Sequence, residues 1–523
     1  MSAATKSTIL AFALAATALP ASAEFTRLEI TSKQSFGIFA SGDNVIWQGR
    51  VHGELSSSEA IPGLDKSQRN RRGRVEYSAR VILIFPNDPQ RGNGTLIVDI
   101  PNRGRAYAQA LYSSPRDELF QSGTLEQGTG FLQDRGFSLA EVYWELGQGA
   151  DLPSFVDADG KRRYVEGVGF AIVRDAADFL AHASADSDGN VNPLKGAVKR
   201  TIASGKSQSG RFLRSFLLNG FNVAQGRRVF DGMHVFVSQA SQLPILQTTE
   251  GPDSHANGIP TFDDPGMRGV NEEPLTIGEI IARVEARGEA PPKIMLLNSV
   301  TDYYSIRASL GRTGASGTSD RPIPANVRVY DIAGAAHLLV ARAPPECTLA
   351  PGRLDWAPLS RATLLRLNAW IAEGTEPPAT RLMPLEPAPA NPPALGAPAH
   401  LPHAVVQVPK RDPDGNSLGG VRLPDLEVPL ATYQGQNAPT ARGCMLIGAT
   451  SAFAVTKSER ESKGDARLSV AERYRNRDDY VNRTRIAARD LVQSGFLLPE
   501  DAAIIIQSAA ANPVFARIPK KTY

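Results

Sequence analysis

The chain has 523 residues, 42% hydrophobic and 21% charged, a globular composition with enough length for a sizeable core. Its formal net charge of +3 is small for that length and points away from nucleic acid or acidic polymers as partners. The one basic run, Lys66 to Arg74, has no interleaved aromatics and reads as a solvated loop.

At the N-terminus, Lys6 precedes an apolar run from Ile9 to Leu19, followed by Ala21-Ser22-Ala23. Basic, apolar and small-x-small segments in that order predict a secretory signal over 1–23, a mature chain from about Glu24, and an exported product, secreted or periplasmic. No later segment reaches the roughly 18 apolar residues of a membrane helix.

From about residue 77 to 375, strand-length apolar runs alternate with helix-period segments. The strands are RVEYSARVILIFP, GTLIVDIP, FSLAEVYWEL, RTIAS, MHVFVSQA, KIMLLNS and VRVYDIAG. The helices include GVGFAIVRDAADFLAHA and SRATLLRLNAWIAEG. This alternation predicts an α/β fold with a mostly parallel central sheet flanked by helices, its first one or two strands forming an antiparallel edge. One α/β domain is thereby expected over 24–375. Residues 241–292 interrupt the rhythm with a turn-rich stretch and the helix TIGEIIARVEARG, a lid-like insertion. A proline-rich linker is expected over 376–404. An accessory region packed on the main domain should follow over 405–523, with a capping box at Ser469 and Glu472 and an amphipathic helix ending at Gly495. DADG, DSDGN and DPDGN lack the glycine and glutamate positions of a calcium loop and read as turns.

The chemistry starts from IASGKSQSGRFLRSFL, residues 202–217, where a strand passes into a helix through a small-residue turn carrying Ser207. A serine on such an elbow presents its hydroxyl above the sheet as a nucleophile. It needs a base, and the base needs an acid to hold its tautomer. Among seven histidines, His337 follows the last sheet strand in the loop AGAAHLL. His234 lies in a strand, His182 on a helix and His255 in the insertion, while His52, His400 and His403 are read as outside the sheet. Asp302, just past KIMLLNS, is the expected acid; Asp331 is its main rival, Glu141 and Glu145 more remote ones. Ser207, Asp302 and His337 then run in the order nucleophile, acid, base, the order of an α/β hydrolase. The oxyanion donors are expected at the backbone of Gln208 and in the loop containing Asn102, Arg103 and Gly104. Cys347 and Cys444 are the only cysteines, and an exported chain would pair them in a disulfide. No Cys-x-x-Cys or paired-histidine spacing suggests a metal, and no cofactor is expected.

The motifs PNRGR at 101–105, GKSQSGRFLR at 205–214, TDYY at 301–304, GAAH at 334–337, DGNSLGGVRLP at 414–424 and AERY at 471–474 resemble those of a little-characterised family of secreted α/β-hydrolase-domain proteins. The resemblance spans nearly the whole mature chain and implies serine-hydrolase chemistry without a substrate. Two departures stand out: Ser209 occupies the second glycine position of G-x-S-x-G, with Gly210 one place later, and relatives often carry glutamate where Asp302 stands. The expected function is a secreted carboxylic-ester hydrolase acting on a small-molecule or polymer-derived ester. A peptidase or amidase, a glucuronoyl-type esterase and an inactive binding module on the same fold are the alternatives.

Overall fold

The computed structural model describes residues 24–116, 123, 125–238, 240, 243, 247–248, 274–389, 405–438 and 444–518. The leader at 1–23, the turn-rich part of the 241–292 insertion with His255, and His400 and His403 in the linker lie outside the described residues.

The sheet is built from β1 (Glu24–Phe39), β2 (Gly42–Ser56), β3 (Arg74–Pro86), β4 (Thr95–Asp99), β5 (Ser138–Val142), β6 (Arg200–Lys206), β7 (Gly232–Phe236), β8 (Lys293–Ser299) and β9 (Val327–Ile332). Its order is β1-β2-β3-β5-β4-β6-β7-β8-β9, with the short strand Ala150–Asp151 paired to β3. The pairs β1/β2, β2/β3 and β3/β5 are antiparallel, and the five from β5/β4 to β8/β9 are parallel. Burial follows this change of neighbours: the first half of β3 alternates between buried and less buried side chains, whereas its end and all of β4 and β5 are buried. Central strands covered on both faces require continuous apolar runs.

The strand pattern differs from the sequence expectation at the first edge. The antiparallel edge is β1–β3, and β4 is an interior parallel strand. His52 lies in β2, within the sheet, opposite Arg27 of β1. The reason is compositional: β1 reads EFTRLEITSKQSFGIF, a polar-rich strand with a solvated face, which lacks the apolar run by which the interior strands are recognised.

One face carries α2 (Val168–His182) and α3 (Gln208–Leu218), whose Phe170 and Phe212 stack at 4.2 Å between centroids. It also carries α4 (Ile277–Ala286), started by a capping box in which Thr276 and Glu279 exchange hydrogen bonds. The other face packs under α1 (Ala108–Ser113), α5 (Val300–Ser305) and α6 (Ala357–Glu373). The far edge at β9 is covered by later chain: Arg381 and Val421 form parallel bridges to Tyr330 and Ile332. Gly420 permits the second contact, because its φ is 64° and a Cβ there would meet the Asp331 carbonyl oxygen at 2.5 Å. Beyond it, the Ser469–Glu472 capping box forms, then α7 (Arg477–Gln493) and α8 (Pro499–Ala511). Asp157, Asp186 and Asp412 each accept backbone N–H bonds from residues two and four places on, so the three Asp-rich stretches are turns. Among the described residues no helix is long and apolar enough to cross a membrane.

Candidate active site

β6 ends at Lys206 and α3 begins at Gln208, leaving Ser207 alone at the turn with φ 59° and ψ −115°. A left-handed φ on a residue with a Cβ is strained, and such strain gathers at functional positions. The surroundings hold it there: Ser207 N–H donates to the Phe236 carbonyl of β7 at 2.9 Å. The glycines make the turn possible by close approach. A Cβ on Gly205 would meet the Ser209 carbonyl oxygen at 2.6 Å, and one on Gly210 would meet the Ser238 Cβ at 2.7 Å. Gly210, one place late by the shorter signature, is therefore the residue at which α3 closes on the chain beyond β7, while Ser209 packs fully buried.

Asp302 is the third residue of α5 and belongs to its capping box. Its Oδ2 accepts from Ser299 N–H at 2.8 Å, and its own N–H donates to Ser299 Oγ at 3.3 Å. Its Oδ1 lies 2.6 Å from His337 Nδ1, and His337 Nε2 lies 2.9 Å from Ser207 Oγ. Asp302 is fully buried and His337 nearly so. The three residues thus form one hydrogen-bonded chain at the carboxyl ends of β6, β8 and β9.

The rivals are engaged elsewhere. Asp331 is buried and takes hydrogen bonds from Tyr303 Oη, Asn298 Nδ2 and the Met383 N–H at 2.8 to 3.1 Å, with Arg312 Nη1 at 3.3 Å. His234 bonds Tyr112 Oη through Nδ1 at 2.8 Å and Thr363 Oγ1 through Nε2 at 3.1 Å. Burial pushes its imidazole down to about 3, so it stays neutral. Glu141 sits next to Asp99 across the β4/β5 pair; burial pushes it up to about 8 and Asp99 up to about 6.

Gln208 opens α3, so its backbone N–H is one of the helix's first, which have no intrahelical acceptor. Its side-chain Nε2 donates to Glu145 Oε1 at 2.8 Å. The loop from Asn102 to Arg105 is closed by two backbone hydrogen bonds, of 2.8 and 3.1 Å. Arg103 and Gly104 both have left-handed φ, 52° and 69°. Asn102 Nδ2 donates to the Lys206 carbonyl at 2.9 Å and so ties this loop to the strand that ends at the serine.

Cys347 and Cys444 form a disulfide with Cα atoms 5.5 Å apart, bridging 97 residues of sequence. The segment after Cys444 contacts both the loop of His337 and the helix of Asp302: Leu338 N–H donates to the Leu446 carbonyl at 2.9 Å, and Ser305 Oγ at the end of α5 donates to the Met445 carbonyl. Sequence reading placed the C-terminal region against the main domain through the cysteine pair, but gave no part to the Asn102 tie or to Lys206. Lys206 had a visible signal, since a charged residue follows the apolar and small run IASG directly before the serine.

A serine turn, an aspartate and a histidine at the carboxyl ends of three strands of a largely parallel, two-face-covered sheet define an α/β-hydrolase fold. Residues 39–507 match the family described as alpha/beta hydrolase domain, and the chain belongs to it. No curated protein matches the sequence. Solved structures with partial similarity include esterase B from Lactobacillus rhamnosis, 12% identical over 42% of this chain and 61% of that one, with a TM-score of 0.22. TT1662 from Thermus thermophilus is 15% identical over 58% of this chain and 98% of that one, at 0.29. The rice cell wall degrading esterase LipA from Xanthomonas oryzae is 11% identical over 59% and 90%, also at 0.29. The chain thus spans about three fifths of the esterase B structure.

Proposed function

We propose that this protein is an exported serine hydrolase that cleaves carboxylic esters through an acyl-serine intermediate. The observation that carries the reading is the hydrogen-bonded chain from Asp302 through His337 to a left-handed Ser207. Asp302 accepts from Nδ1–H and leaves Nε2 as the basic nitrogen. As Ser207 Oγ attacks the ester carbonyl, its proton passes to Nε2, and the negative charge moves to the carbonyl oxygen. The Gln208 N–H and the Arg103-Gly104 backbone are the proposed donors to that oxygen, each worth roughly 10²–10³ in rate. Collapse of the tetrahedral species expels the alcohol, which takes its proton from the imidazolium. Water, activated by the same histidine, then frees the acid and restores the serine. In this reading 24–375 is the catalytic domain, 376–404 a linker, and 405–523 an accessory region that steadies the loops carrying Asp302 and His337. The test is turnover of 4-nitrophenyl acyl esters of graded chain length by the purified protein and by Ser207→Ala. Release of nitrophenolate by the first alone supports the reading, and equal rates overturn it.

A further inference from the structure

Lys206 stands one residue before Ser207 with only 7% of its surface exposed. Its Nζ lies 4.7 Å from the ring centroid of Tyr107, which precedes α1, and 5.6 Å from that of Trp356, which precedes α6. The ammonium is therefore held at the carboxyl end of the sheet between two aromatic rings, an arrangement favourable to a cation. Among the described residues it has no hydrogen-bonded or ion-paired acceptor. The carboxylate within electrostatic reach is Asp302, but both its oxygens are committed, Oδ1 to His337 and Oδ2 to the Ser299 N–H. A buried charge without a partner is costly, and rings alone compensate it only in part. Burial accordingly pushes the ammonium down to about 8, with Asp302 opposing the shift, and the group keeps its charge at neutral pH. Met or Leu would fill the same place without that cost. A bare cation beside a nucleophile is a binding partner for an anion that arrives with the substrate.

We propose that Lys206 recognises a carboxylate carried by the ester within a few bonds of the carbonyl attacked by Ser207, so that the site selects anionic esters, such as monoesters of dicarboxylic acids, over neutral esters of equal length. The proposal rests on the serine-hydrolase reading above and names its substrate class. A bidentate or hydrogen-bonded ammonium–carboxylate contact in a desolvated site gives discrimination that a hydrophobic pocket cannot, because the neutral analogue leaves the cation unpaired.

The experiment compares 4-nitrophenyl hydrogen glutarate with 4-nitrophenyl pentanoate on the full-length protein and on Lys206→Met and Lys206→Arg, with thermal unfolding to establish that each variant is folded. The expected result is a kcat/KM ratio favouring the anionic ester by about tenfold or more in the native chain, largely kept by Lys206→Arg. Lys206→Met should bring that ratio down to about one, mainly through KM for the anionic ester. A native ratio near one overturns the proposal. So does an equal fall for both esters through kcat, which would assign Lys206 to the electrostatics of Asp302 and His337. A second arm is independent of catalysis: calorimetric binding of monomethyl glutarate to Ser207→Ala, with and without Lys206→Met. Binding that requires Lys206 supports anion recognition even if neither ester turns over, an outcome that would instead sink the hydrolase reading. No binding to Ser207→Ala overturns the proposal.

Discussion

The carboxyl edge of the sheet and the region from 405 to 518 are held together by different physics. Around β4 to β9, nearly every side chain is buried in one of two extended apolar layers, and the strands position Ser207, Asp302 and His337 by backbone register. The later region sends Val408, Val421, Leu423, Leu426 and Phe496 into one of those layers, and its remaining apolar clusters are small, such as Phe453, Val470, Tyr474, Tyr480 and Phe515. It adds specific anchors: a buried Arg361–Asp501 pair between α6 and α8, an Arg116–Asp425 pair at 2.7 Å, and the disulfide. The first region can therefore lose a functional group and keep its shape. The second loses attachment when an anchor goes, and it is the second that contacts the loop carrying His337 and the helix carrying Asp302.

The largest effect should come from the sheet edge. Ser207→Ala is expected to lower ester turnover by up to about 10⁶ while leaving the unfolding midpoint close to native, as read by steady-state kinetics beside a melt. Asp302→Asn should cost roughly 10⁴ in kcat. The capping bond explains the severity: the Ser299 N–H keeps the amide oxygen on its side, which turns the amide NH₂ toward His337 Nδ1 and enforces the wrong tautomer. Asp331→Asn provides the contrast. It alters a saturated buried carboxylate at the covered edge, so urea unfolding should show a loss of about 3–5 kcal/mol with the pH–rate profile unchanged in shape. A loss of rate without loss of stability there would exchange the roles of the two aspartates.

How much of this was legible in the sequence depended on distance along the chain. Ser207, Asp302 and His337 stand out because each follows an apolar strand within a few residues, a local pattern of periodicity and turn chemistry. The capping box at Ser469 was readable for the same reason, whereas the one at Thr276 was found only in the structure. β1 and β2 were not, since an edge strand with one wet face carries a polar-rich alternation that resembles loop. Contacts such as Leu338 to Leu446 or Arg361 to Asp501 join residues more than a hundred apart, and no local pattern encodes them. The cysteine pair was the exception, because a chain with two cysteines leaves one pairing.

The disulfide tests the attachment directly. Replacing Cys347 and Cys444 with serine should cost roughly 2–4 kcal/mol of stability, read from chemical denaturation, with activity falling before global unfolding as the His337 loop loosens. A thiol count on the denatured, unreduced protein should find no free thiol. The smallest effect concerns the sheet interior. Burial raises the carboxyls of Asp99 and Glu141, so both hold protons in the folded chain at pH values where the unfolded chain has released them. Their contribution to stability is complete below the ordinary carboxylate range and is lost as pH rises through about 6 and about 8. Glu141→Gln should remove part of that dependence, flattening the fall in stability between those values by about 1 kcal/mol per pH unit. Unfolding curves at three pH values decide it; an unchanged slope would place the titration elsewhere.

The central claim is that Ser207 is the residue that becomes acylated. Incubating the full-length protein with a fluorophosphonate probe and mapping the adduct by peptide mass spectrometry tests it most directly. Stoichiometric labelling of the peptide containing GKSQSGR at Ser207 is expected, abolished by Ser207→Ala and slowed by Asp302→Asn. Labelling at another serine, or undiminished labelling of Ser207→Ala, would contradict it.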